Sequence, residues 1–90
     1  MPSNDSFSST QLWSVYIVRC ADNSLYTGIT TDINRRVKEH NSSSKGARYT
    51  QSRRPVILVY SENHPNRATA SQREYAIKQL SRHEKEQLIT

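Results

Sequence analysis

Two tyrosines, an arginine, a histidine and a glutamate carry the chemical interest of this chain: Tyr16, Tyr26, Arg36, His40 and Glu74. The stretch YTGITTDINRRVKEH, residues 26–40, runs from an aromatic and glycine pair through a threonine-rich turn into a basic helix. On a helix turning about 100° per residue, with Ile33 at zero, Val37 falls at about 40°, His40 at about 340°, Arg36 at about 300° and Arg35 at about 200°. Arg36 and His40 therefore share the side that holds the helix's only apolar residues, and Arg35 points away. Further along, with Ala70 at zero, Glu74 lies at about 40° and Ile77 at about 340°. A carboxylate on an inward face is costly unless it meets a cation, so Glu74 calls for an arginine, a metal ion or both. An Arg36–Glu74 pair that closes is structural; one that leaves a gap has room for a phosphate and a metal. Arg36 snorkelling at the seam edge and His40 as a satisfied boundary histidine compete with both.

Tyr16 and Tyr26 sit in the two halves of a predicted hairpin. A two-residue loop would place them on opposite faces of the sheet. A three-residue loop, Asp22-Asn23-Ser24, pairs Tyr16 with Thr30 and Tyr26 with Cys20 and puts both tyrosines on one face. One shared face is expected, through that loop or an equivalent bulge. Gly28, on the same face two residues after Tyr26, removes a side chain and marks either a close ligand approach or a bulge.

The elements that must hold these residues are short. WSVYIVRC and LYTGI read as strands around the turn ADNS. Thr30 or Thr31 caps a helix running to about His40, with Asp32 in its first turn. ARYTQS forms one helical turn, and Pro55 opens VILVY, an apolar run expected to be a central strand. SENHPN is a loop, a helix follows from Thr69 to Leu80, and SRHE fits the capping box of a last helix. Three strands with helices between and after them, without βαβ alternation, indicate an α+β domain with a small, mostly antiparallel sheet. Residues 1–11, rich in Ser, Asn and Thr, read as a disordered leader to a single domain over 12–90.

The chain has 90 residues, 33% of them hydrophobic, and a formal charge of +5. No apolar run approaches the ~18–20 residues a bilayer needs, and the start lacks the order of a secretory signal, so a cytoplasmic protein without a membrane partner is expected. The single cysteine, Cys20, excludes an internal disulfide and a multi-cysteine zinc site and reads as a small apolar filler. Between Arg35 and Arg54 lie seven basic residues, Arg35, Arg36, Lys38, Lys45, Arg48, Arg53 and Arg54, against one acid, Glu39. With Tyr49 among them, this window suits a nucleic-acid backbone.

Taken together, Val15-Tyr16-Ile17, Tyr26-Thr27-Gly28, Arg36, His40 and Glu74 resemble the GIY-YIG endonuclease family, and the chain is similar to its small single-domain bacterial branch. The resemblance spans Trp13 to Leu80. It implies a three-stranded antiparallel sheet flanked by helices, with the site on the polar face of the sheet, and hydrolysis of a phosphodiester by water. On this resemblance Arg36 holds the scissile phosphate, Glu74 binds one divalent ion, Mg²⁺ or Mn²⁺, and Tyr16, Tyr26 or His40 is the general base. Ser14 stands where many relatives have the first glycine, and the asparagine that many carry in the last helical segment is absent after Asn66.

Relatives of that kind gain target choice from an attached DNA-binding domain, for which there is no room here. Lys45, Arg48, Tyr49, Arg53 and Arg54, with Gly28, Arg35, Lys38 and Lys78, are the expected nucleic-acid contacts, and phosphate contacts position without reading sequence. Structured or damaged DNA in repair or recombination is the favoured substrate, with RNA as the alternative. The rival function is a catalytically weak or inactive nucleic-acid-binding module, or an adaptor for a repair protein that docks on Leu88 and Ile89.

Overall fold

Trp, Val, Tyr and Ile in WSVYIVR favour a pleated, half-buried backbone, and Trp13–Arg19 is strand β1 in the computed structural model, which describes residues 12–90. The expected leader, residues 1–11, lies outside the described residues. Strand β2, Leu25–Thr30, and strand β3, Ile57–His64, both pair antiparallel with β1, so the sheet order is β2-β1-β3. Helices α1 (Ile33–Ser42), α2 (Arg48–Gln51), α3 (Arg67–Lys78) and α4 (Arg82–Ile89) flank the sheet. The fold is α+β, a three-stranded antiparallel sheet with four helices among the described residues.

Caps define where the helices start. Asp32, rather than Thr30 or Thr31, caps α1 by accepting from the Arg35 amide at 3.0 Å, while Thr30 Oγ1 accepts the Asp32 amide at 3.1 Å. Asn66 caps α3, two residues earlier than expected, and Ser81 with Glu84 forms the capping box of α4.

Two sequence expectations fail on the third strand. VILVY was expected at the centre of the sheet, but β1 holds that place and β3 is an edge, with Ile57 64% and Leu58 39% exposed. SENH, expected in a loop, continues β3 to His64. An apolar run measures how hydrophobic a strand is, and among the described residues no further strand pairs with the outer edge of β3 beside Ile57 and Leu58.

The hairpin differs in register. Its strands are joined by Cys20–Ser24, with Asn23 at φ 71° in the left-handed region that Asn tolerates, and Asp22 accepts the Ser24 amide at 3.0 Å. Tyr16 pairs with Gly28 and Tyr26 with Val18, two residues away from the expected pairing. Because side chains alternate with period 2, the slip leaves both tyrosines on one face.

Each face of the sheet has its own apolar cluster. Val15 and Ile17 pack with Ala70 and Ile77 of α3 on one side, with Leu88 and Ile89 of α4 against them. Tyr16, Val18, Cys20 and Val56 form the other, with Tyr26 and Val37 against it. Leu88 and Ile89 are therefore partly buried packing residues. No described helix is long and apolar enough to cross a membrane.

Candidate active site

The face of β1 that carries Tyr16 also carries Ser14 and Val18, opposite Thr30, Gly28 and Tyr26 of β2. This face is polar at one end, where Ser14 Oγ donates to Asn63 Oδ1 at 3.0 Å, and receives α1 at the other. Helix α1 presents Ile33, Arg36 and Val37 half-buried and His40 fully buried, with Arg35 exposed.

His40 is the hub. Its Nε2 lies 2.7 Å from Tyr16 Oη, and its Nδ1 lies 2.9 Å from Thr50 Oγ1 and 3.3 Å from the Ala47 amide, which donates to it. The Tyr26 ring meets the imidazole edge-on with centroids 5.4 Å apart. Burial, and then the positive charge of Arg36, push the His40 pKa down to about 4, so the ring is neutral at pH 7. With no exposed surface and both nitrogens engaged, His40 does not meet solvent directly.

Tyr16 is sealed as well, at 1% exposure. Burial pushes its pKa up to about 12 against the opposing pull of the Arg36 guanidinium, and the charges of Tyr26 and Glu74 add to the rise. Tyr26 is half-buried. Gly28 makes room for this arrangement: a Cβ there would stand 2.5 Å from Tyr16 Oη and 2.8 Å from Cζ. Gly28 is neither a bulge nor, being buried beneath Tyr16, a surface against which nucleic acid can lie.

Arg36 and Glu74 do not form the structural pair considered from sequence. Arg36 donates to Glu39 Oε1 at 2.8 Å and to the Lys45 carbonyl at 2.8 Å. Burial works against the Arg36 charge, but the hydrogen-bonded Glu39 carboxylate and the neighbouring Tyr16 outweigh it and raise its pKa. Glu74 instead meets Lys78 at 3.1 Å, its side chain 23% exposed. Glu39, the one acid of the basic window, is thus the anchor of the site arginine, and its i,i+3 spacing was the signal for it.

No group of three or more His, Cys, Asp or Glu side chains that could hold a metal is found among the described residues. The donor that the family resemblance offers is a single carboxylate, Glu74, close enough to Tyr16 for its charge to act on the hydroxyl. A hard cation such as Mg²⁺ keeps several waters and takes phosphate oxygens, so this donor set fits a site completed by substrate and does not fit an all-protein cage.

The basic candidates divide. Lys38, Lys45 and Arg48 are exposed, and Arg35 reaches Glu39 only at 3.6 Å. Tyr49 is 39% exposed, stacked on Tyr26 with centroids 5.9 Å apart, and carries the Arg53 guanidinium 3.9 Å above its ring. Arg53 is held by Asp22 at 3.0 Å. Arg54 has a structural role instead, donating to the carbonyls of Glu39, His40 and Ser43 at the end of α1, which takes its guanidinium away from an incoming phosphate. Lys78 is committed to Glu74. Thr50, Ala47 and Asn41 carry no signal in the sequence; Asn41 bonds both the amide and the carbonyl of Val56 and so anchors the chain ahead of β3.

Comparison with known proteins places this geometry in a family. The GIY-YIG catalytic domain matches residues 12–87. The UPF0213 protein of Desulfotalea psychrophila is 68% identical over 77 residues, which cover 86% of this chain and 70% of that protein. The UPF0213 protein of Staphylococcus haemolyticus is 53% identical over 75 residues, covering 83% and 90% respectively. The solution structure of the UPF0213 protein from Bacillus halodurans aligns with a TM-score of 0.56 at 49% identity, covering 87% of this chain and 82% of that one. A second solution structure, of a protein from E. faecalis, aligns with a TM-score of 0.58 at 41% identity, covering 84% and 80%. With the family domain covering residues 12–87 and relatives this similar, the chain belongs to the GIY-YIG family.

Proposed function

We propose that this protein is a metal-dependent nuclease that hydrolyses phosphodiester bonds in structured or damaged DNA. The observation that carries the reading is the Tyr16 hydroxyl, 2.7 Å from His40 Nε2, with the charges of Arg36 and Glu74 both acting on it. In-line attack of water needs charge neutralised on the phosphate oxygens, a base for the water and help for the leaving oxygen. Arg36, fixed by Glu39, holds the phosphate. Tyr26, which solvent reaches, takes the proton of the attacking water as phenolate while the bond to the leaving oxygen breaks, and Tyr16, sealed beside it on His40, stays a neutral hydroxyl. Glu74 would hold Mg²⁺ or Mn²⁺, which supplies positive charge to the phosphate and leaving oxygens and favours the phenolate. Lys38, Lys45 and Arg48 contact the backbone phosphates.

The ion pair of Glu74 with Lys78 favours a second reading, a binding module in which the carboxylate is already neutralised. The test is cleavage of labelled single-stranded, duplex, nicked and branched DNA, with matching RNA, at low salt with Mg²⁺, Mn²⁺ or EDTA. Wild type is compared with Glu74→Ala and Arg36→Ala. Metal-dependent cutting lost in both variants is expected. Salt-sensitive binding with no cutting of any substrate would leave the binding module.

A further inference from the structure

Tyr26, the base of the proposed reaction, lies on the edge strand β2 and is half-buried. For its hydroxyl to meet a water in line with a phosphate, both side-chain torsions must be fixed, and two rings are in reach to fix them. His40 meets the Tyr26 ring edge-on, with centroids 5.4 Å apart and planes at 68°, and Tyr49 of α2 lies nearly parallel to it, with centroids 5.9 Å apart and planes at 21°. Both are attractive arrangements for aromatic pairs. His40 is fully buried and has no room to shift, whereas Tyr49 is 39% exposed on a helix of four residues, so its ring needs a hold of its own. Arg53 supplies it. The guanidinium carbon stands 3.9 Å above the centroid of the Tyr49 ring, Nη1 donates to the Tyr49 carbonyl at 2.8 Å, and Nε donates to Asp22 Oδ2 at 3.0 Å. Asp22 is fixed in turn, its Oδ1 accepting the Ser24 amide at 3.0 Å, and the Ala21 amide donates to the Arg53 carbonyl at 2.9 Å. The turn of the β1–β2 hairpin and the end of α2 are thus clasped by main chain and side chain together, with Tyr49 linking the clasp to Tyr26.

We propose that Tyr49 is a positioning residue for Tyr26: Asp22 and Arg53 hold the Tyr49 ring, and that ring sets where the Tyr26 hydroxyl stands. The inference rests on the nuclease reading for the use made of Tyr26, though the packing itself can be measured without it. The sequence reads Tyr49 and Arg53 as nucleic-acid contacts and gives Asp22 no role beyond the turn. Their geometry favours the brace. Arg53 spends Nε, Nη1 and its planar face inside the protein, and a guanidinium committed in this way is poorly placed to fork onto a phosphate. A surface ion pair adds little by itself, so what Asp22 contributes is direction, turning the plane of Arg53 onto Tyr49. A brace acts on turnover, because it places the reacting hydroxyl; a phosphate contact acts on affinity and on its dependence on salt.

Side-chain couplings of Tyr26, read by NMR in the isotopically labelled full chain, test the packing. Wild type and Tyr49→Phe should show one χ1 rotamer for Tyr26, and Tyr49→Leu, which removes the ring, should show averaging over two or more. Unaveraged couplings in Tyr49→Leu would overturn the proposal whether or not the protein cuts nucleic acid. Arg53→Gln and Asp22→Asn keep the Tyr49 ring and loosen its hold, so they should show the same averaging to a smaller degree, and they carry the test if Tyr49→Leu does not fold. In the cleavage assay Tyr49→Leu should lower kcat on the order of 10–100-fold with KM retained, as a displacement of about 1 Å in a reacting group does. Tyr49→Phe should match wild type, and Arg53→Gln should fall between. A raised KM with kcat retained, and a salt slope of binding reduced by about 0.7–0.9 in Arg53→Gln, would make Tyr49 and Arg53 nucleic-acid contacts and overturn the brace. If wild type cuts nothing while the couplings show Tyr26 held by Tyr49, the nuclease reading fails and the packing of Tyr26 by Tyr49 stands.

Discussion

Tyr16 Oη and His40 Nε2 meet 2.7 Å apart, with both side chains sealed from solvent on the face where β1 receives α1. This contact joins the central strand to the first helix through a polar pair in an otherwise apolar cluster, so it bears on stability as well as on chemistry.

The first consequence is a pH dependence. His40 has its pKa lowered from 6.5 to about 4, burial being the main cause. The unfolded chain therefore binds more protons than the folded one between those values, and stability is full above about pH 6.5 and falls as the pH drops through that window. The loss should approach roughly 3 kcal/mol at pH 4, measured by urea unfolding. A His40→Gln variant should lose this slope. Glu86, held low mainly by its hydrogen bond from Arg19, titrates toward about 2, so its contribution disappears at still lower pH.

Tyr16 should ionise late. Of the five tyrosines, Tyr16 is raised to about 12, chiefly by burial, and Tyr60 is also raised, by burial and by its hydrogen bond to Glu62. In an alkaline absorbance titration at low temperature, Tyr16→Phe should remove one late step. The sign is the reverse of that for His40: stability is intact below about pH 10 and lost as the pH rises toward 12.

Gly28→Ala should disable the site without abolishing the fold. Its Cβ would stand 2.5 Å from Tyr16 Oη, the far end of a side chain that can swing only by leaving His40. Overpacking of this kind costs roughly 1–3 kcal/mol. Thermal melting should show that loss, and cleavage should fall far more than binding.

The arginines should separate by assay. Arg54→Met removes donors from three carbonyls at the end of α1 and should lower stability by about 1–3 kcal/mol with little change in the salt dependence of binding. Arg48→Ala and Lys38→Ala, both exposed, should leave stability within about 0.5 kcal/mol. Each should reduce the slope of log affinity against log salt by about 0.7–0.9.

Much of the site was legible in local periods. A 3.6-residue turn is enough to put Arg36 and His40 on the side of Ile33 and Val37, to turn Arg35 outward, and to set Glu74 between Ala70 and Ile77. A period of two is enough to hold Tyr16 and Tyr26 on one face through a register slip of two residues. The motifs carried the family and its three-stranded sheet. Partner choice across the chain was decided only by the tertiary structure, because local spacing does not encode which distant group closes a contact. VILVY reads as a central strand until β1 takes the centre of the sheet and β3 its edge, Gly28 reads as an opening until Tyr16 is seen to fill it, and Arg54 reads as a phosphate ligand until the end of α1 claims it. Thr50 has no signal at all in sequence, since a threonine ten residues after a histidine becomes its partner only when α2 folds back over α1.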